Sequence, residues 1–194
     1  MAKKREYKKL TTPEFRASFP ELFEPKTFGQ QKVPKYAITM LFEKTADLRE
    51  MKKAAMEAAV AEFGPKENWP EGFKWPFRDG DKKKDRDGYA GMVFVKASTT
   101  DAPPVYDRFG KPITKESKKF YAGCYAQASI VCAAYNKDGG TGVTFYLNGV
   151  KKTRDGEPFS ARGDVSKDFQ FDDASEDMGE GVDAADASDE FDLD

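Results

Sequence analysis

The chain alternates apolar and polar positions with period two over most of its length, which is the signature of half-buried β-strands. PEFRASFP (13–20) and PKYAITMLFEK (34–44) are two β-leaning runs separated by a loop containing Pro and Gly. A helix is predicted over about 46–63. Thr45 suits the N-cap, Asp47 falls in the first turn, and Gly64-Pro65 stops it. Leu48, Met51, Ala55, Ala59 and Phe63 share one face of that helix, which predicts packing against a sheet.

Residues 69–88 read as a long loop, followed by a strand at about 89–98. A second long connection carries Pro103-Pro104 and Arg108-Phe109-Gly110-Lys111-Pro112. Strands at 120–135 and about 142–151 flank the turn Lys137-Asp138-Gly139-Gly140 and form a predicted hairpin. In the first of these, Ala122, Cys124, Ala126, Ala128, Ile130 and Cys132 fall on one small, apolar face, extended by Phe120 and Ala134. Tyr121, Gly123, Tyr125, Gln127 and Ser129 fall on the other. In the second, Val143, Phe145 and Leu147 point inward while Thr144, Tyr146 and Asn148 point out. One helix among at least five strands, joined by long loops, fits a small barrel better than a parallel α/β sheet.

Charge changes the picture more than composition does. The formal net charge is −2, but residues 168–194 hold twelve acids and no Lys or Arg. The other 22 acids and all 32 bases lie in residues 1–167, which therefore carry +10. The division expected is a basic body, 1–167, and an acidic tail, 168–194. The tail, rich in Asp, Ala, Gly and Ser, buries too little to offset the entropy of ordering and is expected to be disordered. It is either a solubility tail or an intramolecular competitor for an anion bound by the body. Asp189, Glu190, Phe191, Asp192, Leu193 and Asp194 also offer a short acidic-aromatic peptide to a partner.

Several chemistries are absent from the alphabet of this chain. There is no histidine, which removes Ser-His-Asp and Cys-His catalysis and any histidine-ligated metal. Two cysteines cannot complete a four-thiolate zinc site. Cys124 and Cys132 stand eight positions apart on one predicted strand, roughly 26 Å at ~3.3 Å per residue, so both are expected to be buried thiols. No apolar run approaches the ~18 residues of a membrane span, and MAKKREYKKL lacks the apolar stretch of a secretory signal. The expectation is a cytosolic protein without cofactor.

The segment WPEGFKWPFRDGDKKKDRDGYAGMVFVKAS (69–98) interleaves Trp69, Phe73, Trp75, Phe77 and Tyr89 with Lys74, Arg78, Lys82, Lys83, Lys84, Arg86 and Lys96. Flat rings for stacking bases and cations tracking phosphates are what a single-strand nucleic-acid site requires. The competing reading is that the tryptophans cap the core and the lysines solvate a loop. Tyr121 and Tyr125 offer a second stacking platform, with cross-strand packing as the alternative. Lys151, Lys152 and Arg154 cluster at the end of the last strand. Asp79, Asp81, Asp85 and Asp87 raise a metal-dependent nuclease as a rival. An EF-hand is excluded because Lys83 occupies the third ligand position.

TPEFRASFPELFEPK, PFRDGDKKKDRDGYAGMVFVKAS, FYAGCYAQASIVCAAYN and GVTFYLNGVKKTRDGEPF, in this order and spacing, resemble the single-stranded-DNA-binding proteins of tailed bacteriophages. The resemblance spans roughly residues 11–160. It implies an OB-fold-like barrel that protects single-stranded intermediates of phage replication and recombination in the cytoplasm of the infected host. It also implies an acidic tail that moderates DNA binding and contacts replication or recombination proteins. Many such tails end in an aromatic residue, whereas this chain ends Phe191-Asp192-Leu193-Asp194. The DNA-binding residues expected are Trp75, Arg78, Lys82, Lys83, Lys84, Tyr89, Lys96, Tyr121, Tyr125 and Arg154. Charge alone leaves a general or double-stranded DNA binder open.

Overall fold

A computed structural model of the chain describes residues 9–27, 33–137 and 140–159. The chain divides into Met1–Phe159, which holds all of these, and Ser160–Asp194. The acidic segment 168–194, with its partner-binding candidates, lies outside the described residues.

The fold is mainly β, as the alternation predicts. In chain order the elements are β1 (Lys9–Thr11), β2 (Phe15–Lys26), β3 (Lys35–Glu43), α1 (Arg49–Phe63), β4 (Phe77–Asp79), β5 (Met92–Thr99), β6 (Val105–Tyr106), β7 (Tyr125–Lys137) and β8 (Gly140–Arg154). Five of them close a hydrogen-bonded ring: β7 pairs β2, β2 pairs β3, β3 pairs β5, β5 pairs β8, and β8 returns to β7. The β5–β8 closure is parallel and the other four pairings are antiparallel. Alternation alone could not distinguish that parallel contact, because it joins strands more than forty residues apart in sequence.

The inside of the ring is built by the predicted alternation. Ala126, Ala128, Ile130 and Cys132 of β7 face Val143, Phe145, Leu147 and Val150 of β8, with Phe15, Ile38, Met40 and Val95 in the same core. Cys124 and Cys132 are both free and buried, and burial pushes the Cys132 thiol up to about 12. The strand predicted from residue 120 begins only at Tyr125. Gly123, at φ +107°, turns the chain, and a Cβ there would stand 2.1 Å from the Glu157 carbonyl oxygen. Ala122 consequently leaves the inward row and is only half-buried, although Phe120 remains in the core.

The helix packs on β7 and β8 through Met51, Ala55 and Ala59. It starts later than the capping pattern suggested. The Asp47 carboxylate, rather than Thr45, accepts the Arg49 amide at 3.1 Å, while the Thr45 hydroxyl turns to Glu43. Its end is where Gly64 places it, at φ +77°. The long 69–88 loop is more ordered than its composition implied. It holds the short β4, which pairs with β5, and a tight helical turn at Gly80–Lys83. Among the described residues no helix is long and apolar enough to cross a membrane.

Candidate nucleic-acid interface

The outer face of the ring carries a groove of about 750 Å³. Its floor is set by strand register. Thr39 of β3 lies opposite Lys96 of β5, Ala37 lies opposite Ser98, and Ser98 is next to Tyr146 of β8. These positions point outward because their neighbours Ile38, Met40, Val95, Ala97 and Phe145 point into the core. Lys35, Thr144, Tyr135 and Lys137 extend the lining along the same strands.

One wall comes from the aromatic segment before β4. Trp69 stacks on Phe73 at 4.4 Å, Trp75 follows 6.0 Å from Trp69, and Phe77 continues the series to Phe145 in the core. Both tryptophans are half-buried and pack against the core, as the packing reading expects. Trp69 is a packing residue whose indole N–H donates to the Gly64 carbonyl, whereas Trp75, between Trp69 and Phe77 in the series, also lines the groove. The segment is fastened by backbone bonds from Lys74 to Thr141 and from Val143 to Lys74. Gly142 makes this approach possible, since a Cβ there would lie 2.4 Å from the Lys74 carbonyl oxygen.

The opposite wall is Phe19 and the 80–91 loop. Phe19 sits at a register shift in β2, at φ +45°, and its ring is 52% exposed. A bulky side chain in that backbone region is an outlier that the surroundings must impose. The following Pro20 removes a ladder donor, consistent with a bulge that turns Phe19 out of the sheet. Arg86 places its guanidinium carbon 5.4 Å from the Phe19 ring, and Lys83 caps the Phe94 ring at 5.6 Å.

Charge in the groove is one-sided. Among the described residues, Lys35, Lys74, Arg78, Lys83, Arg86, Lys96 and Lys137 line it, against the single acid Glu21. Lys96 records the crowding. Although the residue is exposed as a whole, its ammonium is partly withdrawn from water, and this, with Arg78 and Lys35 nearby, lowers its pKa. An anion bound at Lys96 favours the ammonium, so affinity should be full below this pKa and fall as pH rises through it. Because the pKa is depressed, the fall should begin at lower pH than an ordinary lysine would give. Lys96→Arg should extend binding to higher pH; identical alkaline profiles for the two proteins would show that Lys96 does not contact the anion.

The structure gathers part of the predicted set and separates the rest. Trp75, Arg78, Lys83, Tyr89 and Lys96 border the groove together, Tyr89 from beneath its surface, while Lys82 and Lys84 are exposed but outside its lining. Tyr89 is corrected. It is only 2% exposed, its hydroxyl is paired with Ser18 at 3.2 Å, and its ring packs on Phe94, so no face remains for a base. Gly80 permits that burial, because a Cβ there would meet the Tyr89 carbonyl oxygen at 2.1 Å.

Tyr121, Tyr125 and Arg154 lie outside the groove lining, in a network already satisfied by the chain itself. The Tyr121 hydroxyl donates to Asp155 at 2.8 Å under the Lys152 ammonium. Arg154 covers the Tyr125 ring at 3.3 Å while donating to Glu14 at 2.8 Å. Lys74 and Arg86, cations of the interleaved segment left out of the expected binding set, also line the groove, and the sequence pattern missed Phe19, Lys35, Tyr135, Lys137 and Tyr146. Of these, Tyr146 carried a usable signal, as an aromatic at an outward position of a strand.

The acids of the loop serve the fold. Asp81 pairs with Lys44 and accepts the Gly91 amide, and Asp79 accepts the Asp81 amide. Among the described residues no group of three or more Cys, Asp or Glu is placed to hold a metal ion.

Comparisons with known proteins agree with this architecture. The chain is 36% identical over 178 residues to protein p50 of Acyrthosiphon pisum secondary endosymbiont phage 1, covering 86% of this chain and 94% of the relative. The single-stranded DNA-binding protein of bacteriophage Enc34, solved in complex with ssDNA, has a similar fold. Its TM-score is 0.67 at 23% identity, over 78% of this chain and 89% of that one. The gp2.5 single-stranded DNA-binding protein encoded by bacteriophage T7 matches with a TM-score of 0.58 at 15% identity, over 92% of this chain and all of that one. Residues 8–179 match the family model of the ssDNA-binding protein of Enterobacter phage Enc34, and the chain belongs to that family.

Proposed function

We propose that this protein binds single-stranded DNA with little sequence preference, in the groove between Trp75 and Phe19. The observation that carries the reading is the groove itself. Among the described residues seven cations line it against one acid, beside rings that can stack on unpaired bases. Phosphates would be held by the Lys and Arg side chains, and bases would stack on Phe19, Trp75 and Tyr146. Bases in a duplex are already stacked on each other, so the aromatic contribution favours a single strand, whereas the charge serves either. In the infected host cytoplasm the role would be protection of single strands during phage replication or recombination, without a catalytic step. The segment 168–194, with its twelve acids, would compete for the groove and present its last six residues, Asp189 to Asp194, to replication or recombination proteins.

Titrating single- and double-stranded oligonucleotides at several salt concentrations, with and without residues 168–194, tests these points together. Log affinity for a single strand should fall with log salt, by about 0.7 per phosphate neutralised and so by up to about 5 for the whole groove. The double strand should bind more weakly. Removing 168–194 should tighten binding, most at low salt where screening is weakest, and a neutral segment of the same length should behave like the deletion. A salt-independent affinity would refute the groove reading. Equal affinities with and without the acidic segment would refute only the competition. A labelled strand that shortens in Mg²⁺ would instead favour a nuclease.

A further inference from the structure

Four aromatic side chains among the described residues are 40% exposed or more: Phe19, Tyr106, Phe109 and Tyr146. Phe19 and Tyr146 line the groove. The other two lie beyond it, and strand register connects them to Tyr146. Along β8, Tyr146 pairs with Val131, Gly149 with Ser129 and Lys151 with Gln127, while Leu147 and Val150 are buried. The register shift around Asn148 keeps Tyr146 and Lys151 on the same outer face. Lys151 is paired with Tyr106 of β6. Because of that shift, Tyr146 and Lys151 stand opposite Val131 and Gln127, four residues apart, a span of roughly 13 Å at ~3.3 Å per residue.

Past Tyr106 the chain makes a turn that is held from both sides. The Asp107 carboxylate accepts the amides of Phe109 at 2.8 Å and Lys111 at 2.9 Å, and the Asp107 amide donates to the Lys111 carbonyl at 2.8 Å. These bonds hold the Asp107 carboxyl below its ordinary pKa. The tip they support is Phe109, 73% exposed, with the Arg108 guanidinium 4.6 Å from its ring. An apolar ring held out in water by a braced turn, between Arg108 and Lys111, has the same chemistry as the groove.

We propose that Tyr106, Lys151 and the Arg108-Phe109 tip form a second nucleic-acid contact, which a single strand reaches by continuing from the groove along β8. This rests on the groove reading and extends it to a longer footprint. The ligand is the same polyanion with unpaired bases: Lys151 and Arg108 would meet its phosphates and Phe109 would stack on a base.

The proposal makes affinity depend on oligonucleotide length in a way the groove alone does not. Oligothymidylates of roughly 4 to 16 nucleotides, the span of site sizes known for comparable folds, are titrated against the full chain and its Phe109→Ala variant. Short strands should bind both proteins equally. Above a threshold length the parent should gain affinity that Phe109→Ala lacks, by about 5- to 150-fold, and Phe109→Trp should restore it. Equal affinities at every length would overturn the proposal, as would a loss of the same size at every length, which would mark a folding defect. A change in sedimentation without a change in affinity would also overturn it, by assigning the tip to contact with another protein chain. Failure of the groove reading looks different: Lys96→Glu would then leave the affinity for short strands unaltered.

Discussion

Reversing two charges of the groove lining, Arg78→Glu together with Lys96→Glu, should weaken single-strand binding by at least about 100-fold at low salt. Two charge-assisted contacts at about 1.5 kcal/mol each already amount to about 3 kcal/mol, before repulsion by the new carboxylates is added. The salt slope should fall by about 1.4, since each lost phosphate contact removes about 0.7. Both side chains are exposed on the outer face of the sheet, so the fold should survive. Lys82→Glu with Lys84→Glu makes the same change in net charge outside the groove lining. It should cost less, because only the long-range field is altered. Equal losses from the two pairs would mean that net charge, rather than the groove, holds the strand.

Phe19→Gly should separate binding from stability. The side chain is half exposed and sits at φ +45°, where phenylalanine is strained and glycine is not. The melting temperature should therefore stay level or rise, while single-strand affinity falls by about 1–3 kcal/mol, the usual cost of removing a stacked ring. Phe19→Trp should keep the affinity. A variant that melts well below the parent and binds as tightly would show that the ring supports the sheet and takes no part in the site. The strain at Phe19 has a physical rationale in the proposed role. Residue 19 would prefer to lie in the ladder, but the bulge before Pro20 turns it toward the space occupied by Arg86.

The mainly β fold and its inner face were readable in the sequence because strand alternation is a local property. Val143, Phe145 and Leu147 had to point one way and Thr144, Tyr146 and Asn148 the other, whatever the rest of the chain did. The helix was readable for the same reason, apart from its first turn. There Asp47 and Thr45 competed for one capping role, and only the geometry of the preceding turn chose between them. The site was less legible. Alternation says which side chains leave the core, but it does not say what lies over them afterwards. Tyr125 does leave the core, yet Arg154 covers it, and Arg154 in turn is engaged by Glu14, which is 140 residues away in sequence.

Local pattern was enough for the five long strands, most of their inward residues, the principal helix, and the separation of a +10 body from a segment of twelve acids, but not for the short β1, β4 and β6. Each feature it reached depends on nearest-neighbour spacing or on composition. Which cations share a surface depends on the folded sheet, because Lys35, Lys74, Lys96 and Lys137 come from four different segments and meet through the ring closure of β5 on β8. The tertiary structure also decided that Tyr89 is buried and that Phe19 is not. The first follows from the close approach of Gly80 to the Tyr89 backbone, the second from a bulge in β2. Neither is encoded in any periodicity, since the first rests on a tight loop and on a hydroxyl pairing with Ser18, 71 residues away, and the second on an irregular pairing between β2 and β3.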